Sequence, residues 1–372
     1  MCHAQPVSAH DVVVVGGGIA GASVACELAA HGSVALVEQE PQLAHHTTGR
    51  SAAVFAESYE APEVRALTRA ARGGFALAAE EAGTPILTPR PTLLIAGPEE
   101  CGALQALAAS DAALRALDAQ EALELCPVLR PKRLAGAAID AAAQDIDVLA
   151  LHQHFVRVGR SRGLEVRASS RLTTARRVGD AWVLTVGGET LHAALVVDAA
   201  GAWADDVAQR CGVTPLGMRP LRRTAVVART AGTLVDPAWP FVMDVADRFY
   251  FRPEGPHVLC SPEDETPSPP CDARPEETDV ALILDRVNAA TNLGLRSVVS
   301  AWAGLRTFSP DRLPVVGRDV GVPGFVWLVG QGGFGIMTAP AMARLGAAAV
   351  LGAEPFDPAL AARLSPARFT GP

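Results

Sequence analysis

Lysine is almost missing from this chain: Lys132 is the only one in 372 residues. With a net charge of −8 there is no basic face for a nucleic acid to grip, which sets that class of partner aside. Tyrosine is nearly as rare, with Tyr59 and Tyr250 alone. No run of about 18 apolar residues is free of charges and glycines, so no transmembrane span is expected. The alanine-rich segment near 339–352 is apolar on most faces but short, and reads as a buried helix. The opening MCHAQPVSAH lacks a basic region followed by an apolar core, so no signal peptide is expected either. Seven cysteines, at positions 2, 26, 101, 126, 211, 260 and 271, form no close pair. That argues against a disulfide scaffold or a zinc ribbon and fits a reducing cytoplasm.

What is present is substantial. At 49% apolar residues the chain can bury two closely packed domains or one large one. DVVVVGGGIAGASVACELAAHGSVALVEQE, residues 11–40, reads as a βαβ unit. Val12 to Val15 form a continuous apolar strand of the kind buried on both faces of a parallel sheet. Gly16, Gly18 and Gly21 complete G-x-G-x-x-G, for a tight turn, a close backbone approach to pyrophosphate, and close helix–strand packing. The helix should run to about His31. Glu38 closes the next strand 22 residues after Gly16, where a carboxylate can accept a ribose 2′-hydroxyl proton. A free 2′-hydroxyl means FAD or NAD rather than NADP.

Further along, residues 62–83 read as a helix, PILTPRPTLLIAG as a strand pair, and 99–125 as two helices. DIDVLALHQHFVRVGRSRG reads as a helix ending in glycine. Leu195 to Ala199 form a second buried strand, turned by Ala200-Gly201-Ala202. Two such strands about 180 residues apart imply a discontinuous cofactor domain with an insertion. Residues 220–300 read as strand-rich, with CSPEDETPSPPCDARPEE as a surface excursion. Gly330, Gly332, Gly333 and Gly335 offer a second place where backbone can meet a ligand. The expected class is therefore α/β (α+β), with two domains. Residues 1–85, 140–218 and 301–372 form a Rossmann-like cofactor domain, and 86–139 and 219–300 an antiparallel β-rich substrate domain.

GGGIAGAS, HHTTGRSAA, DAAGAW, WAGLR and GQGGFGI occur in this order in the FAD-dependent D-amino-acid oxidase/dehydrogenase superfamily. From Asp11 to about Pro366 the chain resembles it, and within it is most similar to the bacterial catabolic D-arginine dehydrogenases. The resemblance implies non-covalent FAD and oxidative deamination. Gly16, Gly18, Ala20, Gly21, Glu38 and Gln39 would hold its adenosine end. Thr48, Gly49, Arg50, Ser51 and Ala52 would run along the flavin, with Ala200 and Gly201 at the second turn. Gly332, Gly333, Gly335, Ile336, Met337 and Thr338 would cover the ring's pyrimidine side, where the helix after Gly335 would stabilise negative charge. Arg306 and Arg223 match the pair that holds the substrate carboxylate, Tyr250 and Tyr59 the tyrosines that border the substrate. Arg222 would face away.

Two positions depart from the relatives. Thr92 stands where they carry an acid that pairs with the substrate guanidinium, and Val54 where they carry a histidine. The pocket, which would include Gly333, should then take neutral or apolar D-amino acids, with Arg248 as an added cation that could favour an acidic side chain. Hydride would pass from Cα to flavin N5, and water would hydrolyse the imine to a 2-oxo acid and ammonia. No enzymic base is evident, so a water held by Tyr59 or Tyr250 would relay the amine proton. Lys132 lies far from every flavin motif, which favours a dehydrogenase passing electrons to a quinone over rapid use of O2. The rivals are a secondary-amine oxidase of the sarcosine or glycine type, a non-catalytic flavin-binding protein, and a NAD dehydrogenase. No metal is expected: His45 and His46 are adjacent, read as peripheral, and lack an acidic or cysteine neighbour in sequence. A cytoplasmic monomer or dimer, with peripheral membrane contact left open, completes the expectation.

Overall fold

The computed structural model describes residues 8–58 and 60–370, so Tyr59 lies outside it. Ser8–Val15 is the middle strand of a mainly parallel sheet of eight. It pairs with Val34–Val37 on one side, from Val12↔Val34 to Val15↔Val37. On the other it pairs with Glu189–Asp198, from Val12↔Leu195 to Val15↔Asp198. Glu165–Arg167 and Phe325–Val329 extend this parallel core outward. Val12 to Val15 and Val34 to Val37 are all buried, because helices or a second core cover both faces. Val12 and Val14 pack with helices Ile19–Leu28, Val148–Ser161 and Ala339–Leu351, while Val13 and Val15 pack with Trp182, Trp327 and helix Ala204–Arg210.

A second sheet of nine strands is built on the long antiparallel pair Arg219–Arg229 and Ser297–Phe308. His257–Ser261, Tyr250–Glu254, Phe241–Asp244, Thr92–Ala96, Gly136–Asp140 and Leu114–Leu117 follow in order. One junction, Phe241–Asp244 with Thr92–Ala96, is parallel, so the sheet is not purely antiparallel. Helices Ala119–Leu125 and Glu277–Ala290 pack on it, the latter through Ile283 and Val287 against Val226 and Phe251.

Several expectations need correction. The first helix ends at Leu28, before His31. The strand pair expected in PILTPRPTLLIAG is two strands of different sheets: Leu87–Pro89 pairs with Gln144–Ile146, and Thr92–Ala96 with Gly136–Asp140. Residues 99–125 contain a strand, Leu114–Leu117, between their two helices. The strand-rich segment 220–300 includes the helix Glu277–Ala290. Ser297–Phe308 pairs along its whole length with Arg219–Arg229, so a domain boundary at 301 cuts a strand of the substrate sheet. The stretch beginning at Cys260 is not wholly a surface excursion, since Cys260, Ser261 and Glu263 are buried. Among the described residues no helix is long and apolar enough to cross a membrane.

Candidate active site

The glycine turn is shaped by hard contacts. Gly16 has φ 110°, and a Cβ there would lie 2.5 Å from Ala199 O. At Gly21 a Cβ would fall 1.8 Å from Gly16 O, so helix and strand meet as closely as backbones can. Glu38 is held by two amides: Oε2 accepts from Gly17 N at 2.7 Å and Oε1 from Glu40 N at 2.9 Å. The buried His152 Nε2 lies 3.0 Å from Gly17 O; burial lowers its pKa, so the neutral ring donates from Nε2 and steadies the loop. Thr48 Oγ1 accepts from Ile19 N at 3.0 Å, at the start of the helix.

The segment after this turn is stitched to the substrate sheet. Thr47 Oγ1 donates to Leu305 O at 2.7 Å, and Arg50 Nη1 donates to Ala273 O and Ala303 O, both at 2.9 Å. Trp302 Nε1 donates to Arg50 O at 2.8 Å. A long cleft results, bounded by both sheets. All the expected cofactor residues line it except Gly21, Gly49, Met337 and Thr338. Gly21 serves packing. Gly49 serves a turn, since a Cβ there would meet Ala44 O at 2.4 Å. Thr338 is fully buried and donates to Phe334 O, and the helix starts only at Ala339, four residues after Gly335. Met337 faces the neighbouring cavity. The histidines are not peripheral: both line the cleft, and His46 lies 4.5 Å, ring to ring, from Trp203. They also have an acidic neighbour in sequence. Glu40, His45 and His46 can bring one ligand atom each within 4.8 Å of one another, one short of a four-ligand shell.

Beside the cleft is a cavity of about 280 Å³. Val54, Leu94, Phe241 and Met243 give it apolar walls, and Tyr250, Arg306 and Gly333 border both spaces. A Cβ at Gly333 would sit 2.9 Å from Arg306 Nη1, so glycine lets the guanidinium lie against the backbone. Arg306 makes no side-chain hydrogen bond or salt bridge among the described residues. Arg223 differs: its Nη1 lies 3.2 Å from Glu263 Oε1 and its Nη2 3.5 Å from Glu265 Oε1. Arg222 points elsewhere, to Glu276 and Asp279. Arg248 borders neither space, because it grips Asp244 at 2.6 and 2.9 Å and Glu100 at 2.9 Å, which removes it as a pocket cation. Thr92 lines the cavity, and its buried hydroxyl has no hydrogen-bond partner among the described residues.

Four carboxyl residues of this cavity, Glu60, Asp140, Asp247 and Glu263, escape a reading of the sequence. Asp140 sits opposite Thr92 in register, accepting from Ser58 Oγ at 2.5 Å and Ala142 N at 3.0 Å. Asp247 and Glu263 both adopt left-handed backbone, with φ 52° and 54°. Burial raises the pKa of each, that of Glu263 to about 7 despite Arg223. The one signal in the sequence was indirect: an arginine in a half-buried strand, RPLRRTAVV, needs an acid somewhere.

A dinucleotide cleft on a parallel sheet, opening onto a cavity walled by a β-rich domain, defines a two-domain nucleotide-dependent oxidoreductase. The chain belongs to the FAD dependent oxidoreductase (DAO) family, whose model matches residues 11–349, and its cofactor is FAD. It is 29% identical over 337 residues to glycerol-3-phosphate dehydrogenase 1 of Mycobacterium tuberculosis, a match covering 80% of this chain and 63% of that one. The chain thus spans less than two thirds of that relative. It is 27% identical over 379 residues to glycine oxidase of Pseudomonas putida, covering 94% and 97%. The crystal structure of glycine oxidase from Geobacillus kaustophilus superposes with a TM-score of 0.82 at 24% identity, covering 94% and 96%, which shows a shared fold. These likenesses carry the family and do not single out the D-arginine dehydrogenases.

Proposed function

We propose that the protein oxidises D-amino acids with neutral, largely apolar side chains. The observation that carries this reading is Arg306. It is a half-buried guanidinium at the junction of cleft and cavity that makes no side-chain hydrogen bond or salt bridge among the described residues, though the charges of Asp247, Glu263 and Glu265 act on it, beside walls made of Val54, Leu94, Phe241 and Met243. A planar guanidinium binds a carboxylate through two parallel hydrogen bonds, and burying it without an anion is costly. The cavity then leaves room for a side chain larger than glycine's. FAD supplies the two-electron chemistry. The chain's task is to fix the substrate carboxylate at Arg306, bound Cα between Tyr250 and Gly333, and exclude water from the apolar end. Thr92 offers a hydroxyl where an arginine-like side chain would need a charge. The nearby Asp140 already accepts one bond on each oxygen.

A second reading is favoured by the end-to-end match to a glycine oxidase: oxidation of glycine, sarcosine or a related small amine. Anaerobic bleaching of the flavin separates the two. D-Leucine, D-methionine and D-phenylalanine should give kcat/KM at least about tenfold above D-arginine and glycine, a difference of about 1.4 kcal/mol in transition-state binding. Faster bleaching by D-arginine overturns the neutral-side-chain reading. Faster bleaching by glycine or sarcosine selects the second reading.

A further inference from the structure

We propose that Glu263 is the base that takes the proton from the substrate's ammonium group. This rests on the reading of the chain as an amino-acid oxidising enzyme and assigns a role that reading leaves open. An α-amino acid held by its carboxylate carries a cation one carbon away, and that cation costs several kcal/mol to bury unpaired. The cavity must therefore hold an acceptor close to Arg306. Of its carboxylates, Asp140 accepts a bond on each oxygen, Glu60 is exposed, and Asp247 is an exposed residue whose carboxyl is only partly withdrawn from water. Glu263 differs from all three. Its side chain is 3% exposed, Oε1 rests on Arg223 Nη1, and Oε2 is buried with no hydrogen-bond partner among the described residues. A buried carboxylate oxygen without a partner among the described residues, on a residue that lines the same cavity as the Arg306 guanidinium, is the complement of a zwitterion.

The surroundings hold this oxygen in place. Arg286, from the helix Glu277–Ala290, donates through Nη1 to Pro262 O at 2.6 Å and Arg248 O at 2.5 Å. It pins the loop of Glu263 and the loop of Asp247 together. Glu265 and Arg312 form a further pair behind Arg223. The charged groups that act on Glu263 are Arg223 and Arg306, which favour its ionised form, and Asp247, which opposes it; burial outweighs them all. The carboxyl thus titrates near neutrality, where a general base works best. The step moves one proton and no electrons. The ammonium N–H bond breaks, an O–H bond forms on Oε2, and a neutral amine and a carboxylic acid result.

The test is the pH profile of flavin bleaching by the best substrate of the panel, with wild type, Glu263→Gln and Glu263→Asp holoenzymes. Wild-type kcat/KM should rise through a limb near pH 7. In Glu263→Gln that limb should vanish, the rate at pH 7.5 should fall about 100-fold or more, and the rise should shift to the amine's own ionisation, well to the alkaline side. Glu263→Asp should keep a limb and an intermediate rate. Binding of 4-methylpentanoate, the leucine skeleton without its amine, should be equal or tighter in Glu263→Gln. A Glu263→Gln profile that keeps the neutral limb and a rate within threefold overturns the assignment, as does loss of 4-methylpentanoate binding, which marks a structural residue. A wild type bleached by no amino acid at all overturns the underlying reading and this assignment with it.

Discussion

At the residue scale the proposed chemistry rests on two side chains that line the cavity, Arg306 and Glu263. The carboxyl of Glu263 also has a consequence for stability. Its folded-state pKa, about 7, lies above the ordinary 4.5, so the folded state holds the proton more tightly. That stabilisation is complete below about pH 4.5 and is lost as pH rises through 7. The shift amounts to about 3 kcal/mol. Between pH 6 and pH 8 the ionisation of Glu263 lowers the Tm of the substrate-free protein, while His10, His152 and His154, whose pKa burial lowers, raise it. Thermal unfolding of Glu263→Gln, which lacks the first contribution, should therefore give a Tm at pH 8 minus that at pH 6 that is more positive than in wild type. A Tm difference unchanged by the substitution would show that Glu263 is ionised in the folded protein throughout this range.

At the scale of elements, the cleft depends on one close approach. Nothing flexible can yield between Gly21 and Gly16, because the atom a Cβ would meet is a backbone carbonyl oxygen. Gly21→Ala should separate helix Ile19–Leu28 from the sheet, cost about 1–3 kcal/mol, and yield protein that purifies with less than half of its yellow cofactor. Flavin absorbance at 450 nm relative to 280 nm, beside a melting curve, checks this. Full cofactor content with an unchanged Tm would mean that the turn adjusts. Bonds between Thr47 and Leu305, and between Arg50 and the carbonyls of Ala273 and Ala303, set how the glycine turn faces the substrate sheet. They join residues more than 200 positions apart.

For the whole molecule the open matter is where the electrons go. Lys132 lies on the exposed turn Pro131–Arg133 and lines neither the cleft nor the cavity. No lysine can therefore hold a positive charge against the flavin to aid oxygen, and among the arginines there Arg223 already lies beside Glu263 and Glu265. Reoxidation of the bleached enzyme by O2 in stopped flow should be slow, at least tenfold slower than by a soluble quinone. A faster reaction with O2 than with the quinone would identify an oxidase.

The sequence by itself determined the parts whose chemistry is local. A turn that needs glycine, a strand buried on both faces and an acid one strand later are each set by neighbours a few residues apart. The glycine turn, Glu38, the order of the helices around it and the cofactor were therefore legible. The resemblance also put Arg306 and Thr92 in the pocket, and both line the cavity. Only the tertiary structure decided what depends on pairing across distance. Arg248, beside the pocket in sequence, is held away from it by Asp244 and Glu100. CSPEDETPSPPCDARPEE has the proline and acid of a solvent-facing segment, yet Cys260, Ser261 and Glu263 in it are buried. Glu263 turns inward with Arg223, forty residues earlier in the chain, beside it to offset part of the cost of burying its charge. Local composition has no term for a partner that only folding supplies.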